Sequence, residues 1–240
     1  FLGTNLERHA REDLIAVMWA CCRLDVQLNS EQVARLSKML NSTFCEKRRG
    51  QGGRDGHGGQ PAKSPVHDED QLAPALCRGL RYLSMLYSRR KDAGRDPHSD
   101  KSTDVNAHRL VDEIFNGGLA ENISPWEIAS VVVALGAFSE SKGSPKSRPL
   151  PLRRIQRYLT ASIPSVDSSL LPKLTYTIAK LGLATNNAAV IEALSSAIVA
   201  KSGIIPTQGL VQVAYAYASM GSRGVGGAAN DVSHAVAPKL

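Results

Sequence analysis

Acid is missing from one part of this chain, aromatics are scarce at 5%, and long apolar runs do not occur. Positions 141–160 hold six basic residues (Lys142, Lys146, Arg148, Arg153, Arg154 and Arg157) and no Asp or Glu. Without 18 consecutive apolar residues, no membrane span is expected. Four cysteines (Cys21, Cys22, Cys45 and Cys77) are too few for a disulfide scaffold, and none stands in a CxxC or Cys/His spacing that suits zinc. Buried thiols in a reducing compartment are the expected state. The chain opens on Phe1 and not on Met, consistent with either a removed leader or a piece of a longer protein.

Catalytic and metal-binding patterns are missing as well. The six histidines are scattered, and no nucleophile elbow or His/Asp/Glu cluster accompanies them. The glycine-rich run 50–59 lacks the GxxxxGK[ST] order of a phosphate loop. His67-Asp68-Glu69-Asp70 is expected to be a solvated acidic patch. The expectation is therefore a protein that is no enzyme, with no cofactor, metal site or small-molecule substrate.

What is present is a positive surplus and a repeat. The formal net charge is +7 and the pI is near 9.4, which favours a polyanion as partner. Segments 14–25, 128–139, 171–182 and 210–221 superpose without gaps. Each opens on an aliphatic residue (Leu14, Ile128, Leu171, Leu210), with another three positions later (Val17, Val131, Leu174, Val213). The sixth position is large (Trp19, Val133, Tyr176, Tyr215) and the seventh small (Ala20, Ala134, Thr177, Ala216). The ninth is small again (Cys22, Gly136, Ala179, Ala218), and the eleventh is large (Leu24, Phe138, Leu181, Met220). Each segment closes on Asp25, Ser139, Gly182 or Gly221, which suits a helix C-terminus.

This spacing predicts helices that approach neighbours closely through their small residues. Starts are marked by Ser124-Pro125, Asp167 and Pro206-Thr207. A more amphipathic partner helix is expected after each. One is capped by Ser30, with Val33, Leu36, Leu40 and Phe44 inward; another carries Leu152, Ile155, Leu159 and Ile163; a third carries Ile191, Leu194 and Ile198. The last is expected to begin near Asn230-Asp231. Between the first and second matching segments, a degenerate pair is placed at 71–89 and 104–116. The prediction is all-α: a solenoid of about five helix–turn–helix repeats of roughly 38–43 residues. Residues 1–45 form the first repeat, 46–69 a low-complexity, disordered insertion, and 70–240 the remaining repeats.

The strings Leu174-Thr-Tyr-Thr-Ile-Ala-Lys-Leu-Gly182, Val213-Ala-Tyr-Ala-Tyr-Ala-Ser-Met-Gly221 and Val17-Met-Trp-Ala-Cys-Cys-Arg-Leu24 resemble the core of octotricopeptide and heptatricopeptide repeats. Those repeats are related to FAST-kinase-like and RAP-domain proteins. The resemblance implies an α-solenoid that binds RNA in mitochondria, or alternatively plastids, such as a component of a protist mitochondrial ribosome that holds rRNA beside neighbouring ribosomal or ribonucleoprotein subunits. No RAP-type domain is read in these residues, so nuclease-like activity is not implied. Repeat spacings of 39 and 43 also do not imply a regular base-per-repeat code.

Candidate RNA-binding residues fall in three groups. Arg153, Arg154 and Arg157, with Lys146 and Arg148 before them, can present several charges to one phosphate track. The three arginines would span roughly 6 Å along a helix axis, close to one nucleotide step. Arg78, Arg81, Arg89, Arg90 and Lys91 lie on one helix, where the dipole also favours cations at the C-terminus. Lys47, Arg48 and Arg49 lie in the insertion. Trp19, Trp126, Tyr176, Tyr215 and Tyr217 are expected to pack in the core and not to stack on bases. A protein-binding scaffold is the rival reading.

Overall fold

A computed structural model describes residues 2–46, 67–92, 101–116, 118–138, 152–184 and 187–221. Among them the fold is all-helical, with no strand. The helices are α1 (Leu2–Arg23), α2 (Ser30–Asn41), α3 (His67–Asp92), α4 (Lys101–Asn116), α5 (Pro125–Phe138), α6 (Leu152–Ser162), α7 (Leu171–Leu181), α8 (Ala188–Lys201) and α9 (Thr207–Gly221). Short turns of 3-10 helix follow α4 at Leu119–Asn122 and α6 at Ile163–Ser165. The helix expected near Asn230-Asp231 lies outside the described residues, as do positions 47–66 of the expected insertion.

Helix starts follow the local chemistry of the chain. Ser124 and Glu127 form a reciprocal cap on α5. The Ser124 N–H donates to Glu127 Oε2 at 2.9 Å, the Glu127 N–H donates to Ser124 Oγ at 3.3 Å, and Pro125 opens the helix. At α2 the cap is Asn29, one residue before the expected Ser30. Its side chain accepts from the Gln32 N–H, while Gln32 Oε1 accepts from the Asn29 N–H, both at 2.9 Å. An amide side chain at Asn29 can close this box with Gln32, which fixes the boundary there. Each such cap is worth about 1 kcal/mol.

The degenerate pair is longer than the sequence predicts. Helix α3 begins at His67 and runs to Asp92, and α4 begins at Lys101. Positions 68–70, expected at the edge of the insertion, therefore belong to α3. Leu76, Leu80, Leu83 and Leu86 are buried along it.

Two helix ends close with the same stereochemistry. Gly182 has φ +67°, and the Leu183 N–H reaches back to the Ile178 carbonyl at 3.0 Å. The aligned position on α1 is Asp25, with φ +54°, and the Val26 N–H reaches the Cys21 carbonyl at 3.0 Å. Both are left-handed terminations closed by the same six-to-one hydrogen bond. Asp25 adopts this conformation without being glycine, as short polar side chains sometimes do.

The described residues divide into two compact units, one of residues 1–123 and 137–150, the other of 124–136 and 151–240. In the first unit, α1 packs chiefly on α3 and α2 on α4. In the second, α7 packs chiefly on α9, and α6 packs on α8. Helices thus meet their second neighbours in sequence more than their first. Glycines permit this at the tightest points. A Cβ on Gly136 would lie 2.6 Å from Thr177 Cγ2, and one on Gly209 would lie 2.9 Å from Pro172 Cγ.

Candidate nucleic-acid interface

Helix α6 has the sequence LRRIQRYLTAS. Ile155 and Leu159, one turn apart, are fully buried, and Ile163 and Val166 continue the apolar edge beyond the helix. At 100° per residue this places Arg153 and Arg157 on the opposite side, within about 40° of one another, with Arg154 to one flank. All three are exposed. Gln156 Nε2 donates to the Leu183 carbonyl at 2.7 Å, tying α6 to the end of α7. Burial of the stripe and this hydrogen bond together fix the direction in which the arginines project.

Several cations on the other helices bind groups of the protein itself. Arg89 Nη1 donates to the Cys22 carbonyl at 2.7 Å and pairs with the Asp25 carboxylate at 3.0 Å. It therefore caps the C-terminus of α1. Lys180 Nζ donates to the Gly136 carbonyl at 2.7 Å, although burial pushes its ammonium below the usual lysine range. Cys22 and Gly136 are the ninth residues of their aligned segments, so a cation from a later helix meets the carbonyl at the same aligned position in each unit. Lys201 Nζ binds the Pro164 and Val166 carbonyls, the first at 2.9 Å. Arg35 pairs with Glu31 one turn away at 2.6 Å, and Arg11 lies 5.7 Å from the Phe44 ring centre.

The structure brings Arg153, Arg154 and Arg157 together on one helix, and Arg78 and Arg81 are exposed on α3. Arg89 on α3 serves as an internal cap. Arg90 and Lys91 belong to α3, but their side chains lie outside the described residues. Lys47, Arg48, Arg49, Lys146 and Arg148 also lie outside them. The structural capping by Lys180 and Lys201 was not anticipated. A lysine at the end of a helix carries no sequence mark that separates solvent from a neighbouring carbonyl.

The aromatics depart from expectation. Trp19 is 52% exposed, Tyr176 40% and Tyr215 65%, whereas Tyr217 is 5% exposed. The cause is helical phase. The sixth position of each segment lies about 140° from the first, so it turns outward when the first turns inward. Of the five aromatics expected in the core, Tyr217 is buried and Trp126 is half-buried. The Tyr217 hydroxyl lies 2.9 Å from Ser195 Oγ, and burial pushes its pKa up to about 12.

Among the described residues, no three His, Cys, Asp or Glu side chains gather as a metal site. Cys21, Cys22 and Cys77 are not in disulfides. Burial raises the Cys22 thiol, and the nearby Arg89 charge opposes that shift. A groove of about 480 Å³ beside α6 and α8 is lined by alanines (Ala189, Ala193, Ala197 and Ala200) and Pro164, with Thr160, Glu192, Ser196 and Lys201 supplying its polar groups. No helix among the described residues is long and apolar enough to cross a membrane. No protein family, curated protein or solved structure matches the chain.

Proposed function

We propose that this chain is an RNA-binding α-solenoid, a component of a mitochondrial ribosome or other organellar ribonucleoprotein that holds rRNA. The observation that carries the reading is α6. Its buried stripe turns Arg153, Arg154 and Arg157 outward, within a sequence stretch that contains no acid. Guanidinium groups suit phosphate because they stay charged and donate in pairs. Support for the repeat comes from second-neighbour packing in each unit, the paired left-handed helix ends, and cations on equivalent carbonyls. Irregular repeat spacing favours holding structured RNA over reading its sequence.

The test is the salt dependence of binding to a single-stranded RNA oligonucleotide. Replacing Arg153, Arg154 and Arg157 together by Gln should weaken binding and flatten the log–log salt slope by about 2, near 0.7 for each lost phosphate contact. Unchanged affinity and slope would remove α6 from the interface. A protein-binding scaffold is favoured by one observation: Val17, Trp19 and Leu24 leave apolar area exposed on and just beyond α1, with Leu24 74% exposed. A chain that ignores RNA at low salt but captures a protein partner through that face would support this second reading.

A further inference from the structure

Helices α7 and α9 pack on each other and carry no Asp or Glu. Their aligned sixth residues, Tyr176 and Tyr215, stand side by side, with ring centres 6.1 Å apart and planes inclined at 31°. The same helix that leaves Tyr215 mostly in water buries Tyr217 two residues later and gives its hydroxyl a partner. Outward aromatics at Tyr176 and Tyr215 thus coexist with a buried tyrosine in the same helix pair. Val211 adds exposed apolar area on α9, and Lys173 is exposed one turn before Tyr176.

The chemistry of this face combines flat apolar rings, a nearby cation and no opposing carboxylate on either helix. Unpaired nucleic-acid bases match it, because each has a π-face and each nucleotide carries an anion. A base inserted between parallel rings needs about two stacking distances of 3.4 Å, roughly 7 Å. The observed separation is too small and the rings are too far from parallel for that, which leaves the outer ring surfaces. We propose that Tyr176 and Tyr215 form a stacking platform for unpaired bases of single-stranded RNA, with Lys173 meeting the strand's phosphate. The platform rests on the RNA-binding reading but not on α6, which packs on α8. Its recognition is tolerant of sequence, since stacking does not read base edges.

The experiment measures binding of the full chain to a twelve-residue oligouridylate and to an abasic ribose-phosphate chain of equal length. The Tyr176→Ala/Tyr215→Ala variant should bind oligouridylate about thirtyfold or more weakly, from at least about fivefold per base, and should bind the abasic chain as before. The Tyr176→Phe/Tyr215→Phe variant should stay within about twofold of the native chain. Circular dichroism melts check that each variant is folded. Equal affinity of the Ala variant and the native chain for oligouridylate overturns the platform while leaving the α6 reading intact. An equal loss on the abasic chain also overturns it. If the native chain binds neither ligand but binds a proline-rich peptide through these tyrosines, both the platform and the RNA reading fail.

Discussion

Unit 1 holds a pair of amides, a buried carboxylate and a half-buried imidazole, whereas the polar groups buried in unit 2 are hydroxyls. In unit 1, Asn41 Nδ2 donates to Asn106 Oδ1 at 3.4 Å, and Asn106 Nδ2 donates to Ser37 Oγ at 3.2 Å. Asp104 is almost wholly buried, and His108 lies on the same helix one turn later. In unit 2, Thr175 and Ser162 return their hydroxyls to carbonyls one turn back in their own helix, at 2.8 and 2.7 Å. Ser195 pairs with Tyr217. The close contacts of this unit are at Gly136, against Thr177, and at Gly209, against Pro172. The contrast separates a junction that takes in polar side chains from one governed by volume.

The largest expected effect tests volume. Gly136→Val should destabilise unit 2 by about 3 kcal/mol, because Thr177 is buried and branched and cannot move aside. Gly79→Ala in unit 1 also meets a near neighbour, Leu40 Cδ1 at 2.7 Å, but that atom ends a rotatable side chain. Its cost should be about 1 kcal/mol, since alanine's helix propensity offsets part of the strain. Hydrogen exchange with peptide resolution reads the two units separately. Equal losses would erase the distinction.

The paired end caps come next. Arg89→Met and Lys180→Met each remove a charge-assisted hydrogen bond to a helix carbonyl and should cost about 1.5 kcal/mol. Faster exchange should be concentrated in the last turns of α1 and α5 respectively. Wild-type melting and exchange in both variants would show that these caps contribute nothing measurable.

The smallest effect is a pH dependence. Burial holds the His108 imidazole below its usual 6.5, so the unfolded chain takes up a proton more readily. Unit 1 should keep its full stability above pH 6.5, lose some as pH falls below 6.5, and level off at the depressed folded value. His108→Gln should remove that slope. Unit 2 has no histidine among its described residues, so its exchange should be flat between pH 7 and 5.5. A matching slope in unit 2 would assign the effect to other groups.

Much of this architecture was legible in residue spacing. Gly182 and Asp25 both terminate helices where the four segments align, and Ser124-Pro125 marks the start of α5. The boundary of α2 needed the Asn29–Gln32 exchange, which competes with an equally plausible cap at Ser30. The outward direction of Tyr176 and Tyr215 was also available from the 100° step between residues, but their size suggested burial. The roles of Arg89 and Lys180 were not available. Each depends on a carbonyl 67 or 44 positions away, and no local pattern encodes that distance. The basic stripe on α6 was the part of the candidate interface most readable in advance, because Ile155 and Leu159 set its phase.

The most direct measurement is ultraviolet cross-linking of the chain in its native complex, followed by nuclease trimming and mapping of the modified peptides. The account predicts RNA adducts on the peptide that contains Arg153, Arg154 and Arg157, with loss of those adducts when the three become Gln. A native complex that survives complete nuclease digestion and yields no adduct on this chain would contradict it.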